Sequence, residues 1–71
     1  MHAEIINIGD EILIGQIVNT NAAWMAEALT TEGISVERVT VIADRAEQIT
    51  SALERALGEM DLVLITGGLG P

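Results

Sequence analysis

Seventy-one residues suffice for one small domain, which would bury only roughly 60% of its unfolded surface and be marginal alone. With no cysteine and 49% hydrophobic residues, the chain can use neither disulfides nor thiolate zinc sites for support, yet it is too apolar to be disordered. Eleven acidic residues against three arginines, with no lysine, give a net charge of -8, which repels a phosphate backbone and argues against nucleic acid as a partner.

Glu4–Ile8 is short and Ile-rich, the pattern of a buried parallel strand. The stretch from Gly9 to Val18 is ambiguous, because Ile12-Leu13-Ile14 could be extended or helical and Gly15 interrupts it. Asn19, Thr20 and Asn21 offer N-caps for a helix, and Ala22, Met25, Ala26 and Leu29 then mark one helical face. Gly33 stands where such a helix would stop in a left-handed residue. Ile34–Val41 predicts a second strand, with β-branched bulk from Val36, Val39 and Val41. Asp44 and Glu47 have capping-box spacing, opening a second helix whose apolar face is Ile49, Ala52, Leu53, Ala56 and Met60. Asp61 leads into a third strand, Leu62–Thr66.

The order β-α-β-α-β predicts a parallel sheet with helical crossovers, an α/β fold. If the first strand lies between the other two, the crossovers leave it in opposite directions. The carboxyl ends of the strands then form a switch point where ligands bind. Two turns of opposite chemistry would arrive there. One is carboxylate-rich, Gly9-Asp10-Glu11; the other is amide-rich, Thr66-Gly67-Gly68-Leu69-Gly70-Pro71.

The glycine turn can present backbone N–H groups to a phosphate, with Thr66 adding a hydroxyl; an ordinary strand-to-loop turn is the plainer alternative. It is not a lysine-bearing P-loop, since no Gly-Lys-Ser/Thr follows. Asp10 could hold Mg²⁺ or a similar hard cation beside that phosphate, or simply serve its own turn. Asn19 and Asn21 could meet a ribose or base, or cap the helix; Asp44 faces the same choice. Trp24, the sole aromatic residue, suits packing or an oligomer contact, and His2 reads as surface. No Ser–His–Asp or Cys–His arrangement is present, so covalent catalysis has no support. The apolar runs fall short of the ~20 residues that span a bilayer. No secretory signal is visible, which suits the cytoplasm.

Gly9-Asp10-Glu11-Ile12-Leu13-Ile14-Gly15-Gln16-Ile17-Val18-Asn19-Thr20-Asn21 resembles the N-terminal signature of the CinA family of competence/damage-inducible proteins. Thr66-Gly67-Gly68-Leu69-Gly70-Pro71 resembles the second motif of that family, and Asp44 stands where it has an aspartate before the second helix. The domain is similar to the molybdopterin-binding fold of the MoaB and MogA proteins. Those carry Thr-Gly-Gly-Thr-Gly in the glycine turn, whereas Leu69 and Pro71 here point to the CinA branch. The resemblance implies a three-layer α/β/α fold and a site for a nucleotide or pterin phosphate. Phosphate would sit on Thr66, Gly67, Gly68 and Gly70, with Gly9, Asn19, Asn21 and Asp44 around it and a divalent metal ion at Asp10. It also implies ADP-ribose pyrophosphatase activity, or else non-catalytic binding of a pterin in molybdenum-cofactor assembly, and a homo-oligomer. Longer members add a nicotinamide mononucleotide deamidase domain, which these residues do not encode. In the family the glycine turn continues into a threonine and paired aspartates, so the chain is expected to be the N-terminal part of an incomplete domain, inactive by itself.

Overall fold

The computed structural model describes residues 1–9 and 14–67, with side chains described outside 14–21. The elements are β1 (His2–Ile8), α1 (Ile14–Thr31), β2 (Ser35–Ile42), α2 (Ala46–Glu59) and β3 (Leu62–Gly67). All three strands are parallel, in the order β2-β1-β3. The first strand is therefore central: α1 carries the chain from β1 to β2 on one side, and α2 returns it from β2 past β1 to β3 on the other, which puts the expected switch point between β1 and β3.

β1 is buried on both faces, as its run of isoleucines requires; from Ala3 to Ile8 every residue is buried. On one face, Ile6 and Ile8 pack with Ala52 and Ala56 of α2, and Ile42, Ile49 and Val63 close the cluster. The small side chains at Ala52 and Ala56 let the helix come down close to the sheet. Alternation puts Ala3, Ile5 and Asn7 on the opposite face. They too are buried, which places α1 there, since α2 takes the first face. The result is the expected α/β/α layering.

β1 begins at His2, two residues before the predicted start. Asp61 explains the extension: its side chain accepts the His2 N–H at 2.8 Å, and its own N–H donates to the His2 carbonyl at 2.9 Å. His2 itself is exposed, with Nδ1 2.9 Å from Glu37. Between Ala3 and Glu4 the β1–β2 register shifts, pairing Ala3 with Val36 and Glu4 with Arg38. A bulge of this kind re-aims the side chains that follow.

The helix starts differ from expectation. α1 begins at Ile14, so Asn19, Thr20 and Asn21 lie within it and not at its cap. A glycine early in a helix costs only about 1 kcal/mol, and propagation is cheap once a turn has formed, so Gly15 does not stop it. α2 is capped at Arg45, which is extended and makes no side-chain cap hydrogen bond. Asp44 thus precedes the cap, and Glu47 falls one position short of closing a box with it. Gln48 acts instead: its Oε1 accepts the Ala43 N–H at 3.2 Å. Glu47 still lies in the first turn, where the helix dipole favours an anion.

The end of α1 follows the sequence. Gly33 has φ +80°; its N–H donates to Thr30 and the Ile34 N–H donates to Leu29, each at 2.9 Å. Those two bonds are a Schellman motif. Both outer strands have partly exposed apolar residues among those described, with Ile65 46% and Val41 51% exposed.

Candidate functional site

The strands' carboxyl ends lie side by side. Ile8 pairs with Gly67 across β1 and β3 and with Ile42 across β1 and β2. The Gly9 N–H donates to the Ile42 carbonyl at 2.9 Å, so this amide is spent on holding the β1 exit against β2. Gly67 has φ +80°, and a Cβ built there would overlap the Ile8 carbonyl oxygen and stand 3.2 Å from its carbon. Only glycine fits this crossing. The chain thus leaves β1 and β3 from touching backbones, the first toward Asp10 and the second toward Gly68. Asp10, Gly68, Gly70 and the side chains of Asn19 and Asn21 lie outside the described residues. Asp44 follows the end of β2, on the same edge of the sheet.

Thr66 is the residue expected to add a hydroxyl to the glycine turn. Its Oγ1 donates to Oδ1 of Asn7, directly opposite on β1. Asn7 is 3% exposed, and its Nδ2 is buried without a hydrogen-bond partner among the described residues. The sequence reading passed over Asn7. The available signal was a polar residue flanked by isoleucines at an inward position of the central strand, two residues before Gly9.

A second polar group went unread on the other face of β1. The Glu4 side chain is fully buried. It accepts from Arg38 Nη2 at 2.6 Å and Nε at 2.9 Å, from Thr40 Oγ1 at 2.5 Å, and loosely from Arg55 Nη2 at 3.5 Å. Burial pushes the Glu4 carboxyl up, but the hydrogen bonds from Arg38 and Thr40 and the charges of Arg38 and Arg55 outweigh it, and the net pKa falls below the ordinary value. Arg38, bonded to Glu4 and more weakly to Glu59, is held charged more firmly than a free arginine. Beside this network a groove of about 420 Å³ opens between β2 and α2, lined in part by Thr40, Gln48, Ser51 and Arg55. It lies on the α2 face, away from the Thr66–Asn7 pair.

Among the described residues no cluster of His, Asp or Glu is placed to hold a metal ion; Asp10, the expected ligand, is not among them. No helix among the described residues is long and apolar enough to cross a membrane.

The family described as "Probable molybdopterin binding domain" matches residues 4–71. A CinA-like protein of Chlorobium phaeovibrioides is 56% identical over 71 residues, which are 100% of this chain and 17% of that protein. A protein of Aeropyrum pernix is 52% identical over 69 residues, 97% of this chain and 26% of the relative. The chain therefore spans between about a sixth and about a quarter of the curated relatives it matches. In a solved structure, the protein CinA of unknown function from Thermoplasma acidophilum, the superposition has a TM-score of 0.85 at 46% identity and covers 99% of this chain and 41% of that one. On these matches and on this fold, the chain belongs to the family of probable molybdopterin binding domains, in its CinA-like group.

Proposed function

We propose that the carboxyl edge of the sheet binds the phosphate of a nucleotide, and that the whole protein hydrolyses the pyrophosphate bond of ADP-ribose in the cytoplasm, within pyridine-nucleotide salvage. The observation that carries this reading is the crossing of Gly67 over the Ile8 carbonyl. It brings the start of the glycine turn against the start of the acidic turn, so an anion bound by turn amides would lie beside Asp10. With a net charge of -8 and no lysine, backbone amides and a cation are the counter-charge this reading assigns to phosphate. Mg²⁺ or a similar cation at Asp10 would supply charge neutralisation at the pyrophosphate. Asn19, Asn21, Asp44 and Gly68 with Gly70 complete the pocket in this reading, and copies of the chain associate through exposed apolar surface such as Trp24, which is 71% exposed.

The family's description favours a second reading, in which the same edge holds molybdopterin without turning it over. Calorimetry with ADP-ribose, with and without Mg²⁺, separates the two. Mg²⁺-dependent binding that disappears in Asp10→Ala supports the first. Binding of molybdopterin together with indifference to ADP-ribose rejects it.

A further inference from the structure

An asparagine amide buried with one end unpartnered is costly, about 1–3 kcal/mol for the lost hydrogen bond. Asn7 carries that cost in the central strand, where Ile6 and Ile8 on either side are simply apolar. Its other end accepts the Thr66 hydroxyl proton. A threonine hydroxyl has one proton to give. While that proton points to Asn7, Thr66 offers an approaching oxyanion only lone pairs, which repel it.

The amide has a second orientation. A half-turn about the terminal torsion, which is broad for asparagine, exchanges Oδ1 and Nδ2. Nδ2 then donates to Thr66 Oγ1, and the hydroxyl proton is released to point outward toward the Gly67 turn. Oδ1 is then left without a partner together with one of the two Nδ2 hydrogens, so the exchange does not by itself satisfy the buried amide. Of the two states, the one with Thr66 donating outward is stabilised by an anion, because it gains a charge-assisted hydrogen bond.

We propose that Asn7 is a positioning residue for an oxyanion ligand, turning its amide to switch Thr66 from an inward to an outward donor. The inference rests on the phosphate reading above and adds to it the residue that prepares the site. An ionised aspartate at position 7 can only accept, so it locks the Thr66 proton inward.

The test is a double-mutant cycle in the full chain, read by affinity for inorganic pyrophosphate. Asn7→Asp and Thr66→Val are each expected to weaken binding about tenfold, the order of one charge-assisted hydrogen bond. The double variant is expected to be no weaker than either, because the hydroxyl through which Asn7 acts is already gone. Losses that multiply to about a hundredfold would mean that the aspartate acts by its charge alone, and would overturn the proposal; so would an Asn7→Asp protein that binds normally. Should the variants fail to fold, the side-chain amide resonances of Asn7 in the unaltered protein decide. They shift on adding pyrophosphate as Nδ2 gains a partner, and unmoved resonances at saturation overturn the switch. If the unaltered protein binds no pyrophosphate, the phosphate reading itself falls and the switch with it. Binding with an additive cycle or unmoved resonances removes the switch only.

Discussion

Gly67→Ala puts a methyl group onto the Ile8 carbonyl at a φ of +80°, and the two consequences can be costed separately. The left-handed backbone costs an alanine roughly 1–2 kcal/mol. The overlap is with backbone, which cannot rotate out of the way as a side chain would. β3 must therefore move off β1 at its last rung, and losing one backbone hydrogen bond adds about 1 kcal/mol. The sum is about 2–3 kcal/mol, a large part of the roughly 5 kcal/mol at the low end of domain stability. Gly33→Ala is the internal control. Gly33 has the same φ of +80° but nothing within 4 Å of a built Cβ, so it carries the conformational cost alone. In urea, with a slope near 1 kcal/mol/M for a small domain, the midpoint should fall by about 2–3 M for Gly67→Ala and by about 1–2 M for Gly33→Ala. Equal shifts would refute the close approach of β1 and β3, and with it the shared edge on which the phosphate site depends.

The Glu4 carboxyl, whose pKa is depressed by folding, contributes stability that is present above its unfolded value of about 4.5 and lost as pH falls through the lower folded value. Acid titration of stability should therefore show a loss below that pH which is absent in Glu4→Gln. Glu4→Gln should cost about 2 kcal/mol at neutral pH, less than the roughly 3–5 of a fully buried broken pair, because Arg38 is partly exposed and keeps Glu59. Ala56→Leu forces α2 off Ile6 and Ile8 and should cost about 1–3 kcal/mol, while Leu57→Ala next to it, at a 63% exposed residue, should change the urea midpoint little. If copies associate through α1, Trp24 emission should move to the blue with rising concentration; emission that stays red at all concentrations removes α1 from the contact. Replacing Glu4, Arg38 and Thr40 together by Leu, Met and Val should leave stability equal or higher but broaden the amide resonances of β1 and β2 as alternative registers appear; sharp, unchanged spectra would show that the network does not set register.

The sequence was most informative where one residue type has one physical use. Gly33 ends α1 as written, and the isoleucines of β1 give a strand buried on both faces. It was less informative where several residues could do the same job. Asn19, Thr20, Asn21 and Asp44 are all good caps, yet α1 starts before the first three and α2 starts after the last. Cap strengths differ by about 1 kcal/mol, which packing of the helix face easily overrides. At the site, the glycines of the second motif announced a turn, but the partner of Thr66 could not be read, because it depends on which residue of β1 lies opposite. That information is a register, and a run of interchangeable isoleucines does not encode one.

Glu4 and Asn7 supply what the isoleucines lack. A parallel strand that is apolar on both faces gains almost as much by pairing one residue out of step, because a slip merely trades one face for the other. The two polar residues break that equivalence. Glu4 lies on the α2 face and finds Arg38 and Thr40 only on β2. Asn7 lies on the α1 face and finds Thr66 only on β3. Each therefore fixes one neighbour, from opposite sides of the same strand, and a one-residue slip in either ladder would bury an unpaired carboxylate or an amide with neither end satisfied. Glu4 is fully bonded within its network. Asn7 is half-bonded and lies one residue before the edge where Gly67 crosses Ile8. The residue that sets the register of β3 is therefore also the one with hydrogen-bonding capacity left over, at the place where a ligand could use it.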